Sequence, residues 1–117
     1  MEVDKKKFLG FIIESWRFSN LFSQIISNLD ENEKKRFKSR LDWYRKQMED
    51  TLRNYGYTLV DVSGEIYNTG MAVNPLNIDE FDENDSLIVD YMMEPVVMSE
   101  TGNIVKTGTV VLRRQGS

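Results

Sequence analysis

The chain has 117 residues, 40% hydrophobic and 29% charged, with a formal net charge of −4 and neither His nor Cys. That length suits one core, or two small subdomains that share one. Without Cys there is no disulfide framework or thiolate metal site, which fits a reducing cytoplasm; without His this chain alone has no imidazole base, no Ser-His triad and almost no route to a zinc site, so neither metal nor cofactor is expected.

Charge is unevenly spread. Residues 1–53 carry 12 Lys/Arg and 9 Asp/Glu, and residues 54–105 carry 10 acids and no base, before Lys106, Arg113 and Arg114 close the count. Two parts so different in charge should meet different partners, and the acidic part is a poor match for phosphate backbones.

The opening MEVDKKKFLGFII sets a basic cluster before an apolar run, as a signal peptide does. The run breaks at Glu14 and Arg17 with no small-residue cleavage site, and nothing reaches the roughly 20 apolar residues of a membrane span. The reading is a soluble, cytoplasmic protein with no membrane contact.

A first helix is expected over residues 4–28, with Asp4 as its N-cap. Phe8, Leu9, Ile12, Ile13 and Trp16 share one face of its first half; Phe18, Leu21, Phe22, Ile25 and Ile26 share another face of its second half. A helix that only covers its own sheet needs one apolar stripe. Two stripes call for two neighbours.

Asp30 followed by Glu33 is a variant of the capping box, and a second helix follows to residue 55. Phe37, Leu41, Tyr44, Met48 and Tyr55 form a coiled-coil-like seam with Thr51 in the missing place. Gly56 ends the helix as a left-handed cap glycine. The two helices make a hairpin, and the surplus apolar face points to two hairpins joining into a dimeric four-helix bundle through Trp16, Leu21, Phe22, Ile25, Phe37, Leu41, Tyr44 and Met48. The bland alternative is that this face packs on the protein's own sheet.

After Gly56 the period becomes twofold. YTLVDV sets Thr58, Val60 and Val62 on one side, Ser63 and Gly64 turn the chain, and NTGMAV leads to Pro75. Residues 77–85 form a charged loop around Phe81. LIVDYMMEPVVM is one long strand or two bent at Pro95, residues 100–103 form a hairpin turn, and IVKTGTVVL closes a unit of four to six strands. The fold class is α+β: a helical hairpin over residues 1–55, a small, mostly antiparallel β-domain over residues 56–114, and residues 115–117 as either a tail or an expression remnant.

Catalytic signals are weak, and the protein is not expected to be an enzyme. The acidic loop fails as a calcium loop: counting from Asp82, Leu87 falls where the turn glycine belongs and Met93 where the bidentate Glu belongs. Scattered glycines make no phosphate loop. Asp90 and Glu94 share one strand face by alternation, with no partner of known role. On the second helix Lys34, Lys35, Arg36, Lys38, Arg40, Arg45 and Lys46 surround Trp43, a pattern that suits nucleic acid, but neighbouring acids and the net charge favour a solvated bundle face. Trp43 lies off the seam, as a flank contact or an exposed anchor.

The order of these elements resembles the GrpE family, the nucleotide exchange factors of DnaK-type chaperones. Leu52 and Gly56 match its LxxxGV pattern, with Tyr57 in place of the Val. Tyr67 leads a segment ending in Gly70, Met71, Ala72 and Val73, of which Ala72 and Val73 keep the AV of the family's HEAV. Lys106, Gly108, Val110 and Leu112 stand at the places of RPAxVxV. The chain departs from the family in lacking the long preceding helix and the motif His and Glu, and in carrying EPVV at residues 94–97 where the family has GYxL. The resemblance spans about residues 8–112. It implies a homodimer whose β-domains contact a chaperone-type ATPase, through Gly56, Met71, Val73, Leu76 and Lys106. A dimeric adaptor that recruits another protein through its acidic β-domain is the alternative.

Overall fold

The computed structural model describes residues 4–116. The chain divides into two compact units, Met1–Gly56 and Tyr57–Ser117.

The first unit is two packed helices, α1 (Lys5–Ile26) and α2 (Glu31–Asn54). Asp4 caps α1 by accepting from the amides of Lys6 and Lys7, and Asp30 caps α2 by accepting from Glu33 N at 2.9 Å. Each cap satisfies donors that a helix start leaves open. At the other end Gly56 takes φ 85°, which terminates α2 in the left-handed region that glycine enters without steric cost. Ring contacts show the helices to be antiparallel. Phe8 meets Tyr55 at 4.6 Å and Phe22 meets Phe37 at 6.3 Å between centroids, so the start of each helix lies against the end of the other.

The seam differs from the expected one. Leu41, Met48 and Leu52 are buried and Arg45 is half-buried, a step of 4, 3 and 4 along α2, whereas Tyr44 and Tyr55 are 40% and 50% exposed. Arg45 takes the inward place by donating from Nε to Ser19 Oγ and from Nη2 to Ser19 O and Asn20 Oδ1. Ser19 Oγ in turn donates to Trp16 O at 2.7 Å, so the buried hydroxyl is satisfied both as acceptor and as donor.

The second unit has six strands: β1 (Tyr57–Val60), β2 (Val73–Pro75), β3 (Leu87–Glu94), β4 (Val96–Ser99), β5 (Ile104–Lys106) and β6 (Gly108–Arg114). They form two three-stranded sheets, β1-β4-β5 and β2-β6-β3. All pairs are antiparallel except β2 with β6, which is parallel.

The four later strands are one long hairpin whose two arms both leave one sheet for the other. The outgoing arm bends at Pro95, which is fully buried and has no N–H to lose from a ladder. The returning arm bends at Thr107, where the sequence reading kept a single strand. Gly108 sits at that corner so tightly that a Cβ would lie 2.7 Å from Met92 Cε, 2.9 Å from the Glu94 carbonyl oxygen and 3.1 Å from Val96 Cγ2.

Bulges set which residues face the core. The β3/β6 register shifts between Val89 and Tyr91 and again between Met92 and Glu94. Strict alternation would bury Leu87, Val89 and Tyr91; the extra residue moves the third inward position to Met92, 2% exposed, and leaves Tyr91 and Met93 outside. Leu87, Val89, Met92, Val96, Val97, Val110 and Leu112 are the buried apolar centre of this unit. Asn77 extends the β2/β6 pairing with its side chain, donating from Nδ2 to Leu112 O at 2.8 Å and accepting from Leu112 N at 2.9 Å.

Candidate functional site

Helix α1 presents two apolar stripes, and both run its length. The buried one contains Ile12, Ile13, Trp16 and Ile26 with Ser19. The other is Phe11, Phe18, Leu21 and Ile25, exposed at 70%, 65%, 53% and 53%. Phe11, Phe18 and Ile25 are seven residues apart and so stack along one line of the helix. The expectation of one face per half-helix is corrected here: the outer stripe begins in the first half, at Phe11.

Beside this stripe Phe18, Phe22, Leu41 and Tyr44, with Ser19 and Arg40, line an open apolar groove of about 220 Å³. Of the eight residues proposed from sequence for dimerisation, Leu21, Ile25 and Tyr44 are exposed, and Phe22 and Phe37 are half-buried edge to face. Trp16, Leu41 and Met48 are only 5–7% exposed. Their side chains belong to the interior of the chain and have little surface to offer a partner. Phe11 and Phe18 are the most exposed apolar residues of α1, and the seven-residue spacing between them is visible in the sequence.

The five positions singled out in the β-domain are dispersed in role. Gly56 is the helix cap. Val73 is buried in β2 opposite Gly108. Met71 is half-buried with Sδ 3.4 Å from Asn68 N. Leu76 is 61% exposed. Lys106 is engaged by Glu94, Nζ to Oε2 at 2.6 Å.

That ion pair also corrects the reading of Asp90 and Glu94 as carboxylates without partners, because Arg113 Nε lies 3.4 Å from Asp90 Oδ1. Arg114 in turn meets Asp85 at 3.3 Å and covers the Phe81 ring. All three cations of the unit are thus tied to carboxylates. Asp79, Asp82 and Glu83 make no ion pair among the described residues, and they rim an open groove of about 740 Å³ floored by Ile66, Ile78 and Phe81. The sequence predicts only a charged loop around Phe81 here. The groove exists because residues 64–67 bond back to β3, Tyr67 N to Leu87 O and Val89 N to Glu65 O.

Among the described residues no group of three or more His, Cys, Asp or Glu is placed to hold a metal, and no helix is long and apolar enough to cross a membrane. What the two units offer is shape: an apolar stripe and groove on the hairpin, an acid-rimmed groove on the sheets. Comparison with protein families, curated proteins and solved structures found no match.

Proposed function

We propose that this protein is a non-enzymatic interaction protein of the GrpE kind, in which the helical hairpin pairs with a second copy and the β-unit binds a DnaK-type ATPase. The observation that carries the reading is the outer stripe of α1, Phe11, Phe18, Leu21 and Ile25, more than half exposed on a hairpin whose other apolar stripe is already buried. With Tyr44, and at 150–250 Å² for a whole aromatic side chain, these residues expose on the order of 500 Å², more than half of what one partner of a standard interface buries. A second copy of the same stripe is the simplest cover for a line of residues repeated every seven, because a twofold axis sets like against like.

The β-unit then favours the nucleotide-free form of its ATPase by binding it more tightly than the nucleotide-bound form, and ADP release follows by linkage. Leu76 and the outer side of Lys106 are the contact residues retained from the five positions. The experiment is release of labelled ADP from a DnaK-type ATPase with and without the protein. Acceleration supports the reading; neither binding nor acceleration overturns it.

The adaptor reading is favoured instead by one feature, the groove rimmed by Asp79, Asp82 and Glu83. Under it a basic, apolar-tipped segment of another protein occupies that groove, and charge reversal of the rim abolishes recruitment while ADP release is unaffected throughout.

A further inference from the structure

Trp43 is 66% exposed at the middle of α2, on the side turned away from Leu41 by two residues, or about 200° of helix. Its four neighbours on the helix surface, three and four residues away, are Ser39, Arg40, Lys46 and Gln47. Arg36, seven residues before Trp43, lies on the same line of the helix, while Lys35 is about 80° round, on the line of Asp42. All of these side chains are exposed. Lys35, Arg40 and Lys46 make no ion pair among the described residues, and Arg36 contacts only the Phe37 ring at 4.8 Å. Arg45, which the sequence places in the same basic run, points instead to Ser19 and Asn20. Asp42 is the one acid between Lys34 and Gln47, about 100° round the helix from Trp43.

The result is a convex stripe with one large apolar side chain at its centre and, on both sides, cations that make no ion pair among the described residues, Arg36 lying over the Phe37 ring. Tryptophan is rarely left this open, and Trp with Arg is the composition of interface hot spots. We propose that this outward face of α2 is a docking surface for an acidic protein segment, an apolar residue seated on Trp43 and carboxylates reaching Arg36, Arg40 and Lys46. The charge of the stripe demands an anionic partner. A nucleic acid is disfavoured because single strands use a groove with successive stacking platforms, where this face has one ring on a convex rod. An anionic membrane would need an apolar face, and Trp43 stands alone. Of this surface only Arg40 also lines the groove beside Phe18; Trp43, Arg36 and Lys46 are not among its lining residues, and the proposal rests neither on dimerisation nor on the ATPase reading.

The test uses the full chain and a fluorescent helical peptide of about three turns, with a central leucine flanked by glutamates. Anisotropy should show binding that weakens with added salt, falls about tenfold or more with Trp43→Ala or with Arg36→Glu plus Arg40→Glu, and is largely kept by Trp43→Phe. These exposed changes should leave the melting curve in place, which separates lost binding from lost folding. Lys5→Glu with Lys6→Glu should leave binding intact. Failure to bind, equal loss with the Lys5/Lys6 variant, equal binding of a glutamine version of the peptide, or tighter binding of oligothymidylate or phosphatidylserine vesicles through Trp43 would each overturn the proposal.

Discussion

Lys106 Nζ lies 2.6 Å from Glu94 Oε2, and the pair joins the two arms of the bent hairpin beside the corner where both change sheets. In the resemblance to the GrpE pattern Glu94 opens the departing EPVV, while Lys106 stands at the place of the pattern's arginine. The pair is 41% and 26% exposed, so solvent screens it and its worth is modest. Lys106→Met and Glu94→Gln should each cost about 0.5–1 kcal/mol, and the double variant little more than the larger single one, with the coupling shrinking in high salt. Urea unfolding of the cycle reads this directly. A fully additive cycle would show that the contact contributes nothing and leave Lys106 free for a partner.

Gly108 should tolerate no side chain. Met92 Cε can swing aside from a new Cβ, but the Glu94 carbonyl oxygen at 2.9 Å is backbone and cannot. Gly108→Ala is therefore expected to destabilise by about 1–3 kcal/mol, the usual cost of forcing volume into a packed site. An unchanged urea midpoint would mean the corner has slack.

Asn77 is a two-point clamp on Leu112, donor and acceptor together. Asn77→Ala should lose about 1–3 kcal/mol by leaving main-chain groups of Leu112 without their partners. Asn77→Asp should do no better, because it keeps the acceptor but turns an oxygen toward the Leu112 carbonyl. Full stability in Asn77→Asp would show that the donor half is dispensable.

Much of the architecture was legible in the sequence because local chemistry announced it: Asp4 and Asp30 as caps, Gly56 as the stop, Pro95 as the bend, Gly102 in the hairpin turn. The α2 seam departs from the expected one because hydropathy counts Tyr44 as apolar and Arg45 as polar, while Tyr55, though half exposed, does pack its ring on Phe8. A tyrosine can leave its ring at the surface with its hydroxyl in water, and an arginine can lie along an interface if its guanidinium finds acceptors, here Ser19 and Asn20. The strand break at Thr107 carried no proline and was set by the opposing arm. The bulge that turns Met92 inward was invisible for the same reason: register is a property of two strands. On the candidate surfaces, the periodicity exposed the surplus of apolar residues on α1, while the β-domain groove depended on how residues 64–67 fold back on β3, which spacing does not encode.

The central claim is that the outer stripe of α1 is covered by a second copy, and sedimentation equilibrium of the intact protein across the micromolar range tests it most directly. The account predicts twice the chain mass of 13.7 kDa for the wild type, and a single 13.7 kDa species for Phe18→Asp with unchanged helix content. A wild type that stays at 13.7 kDa, or a dimer that Phe18→Asp leaves intact, would contradict it.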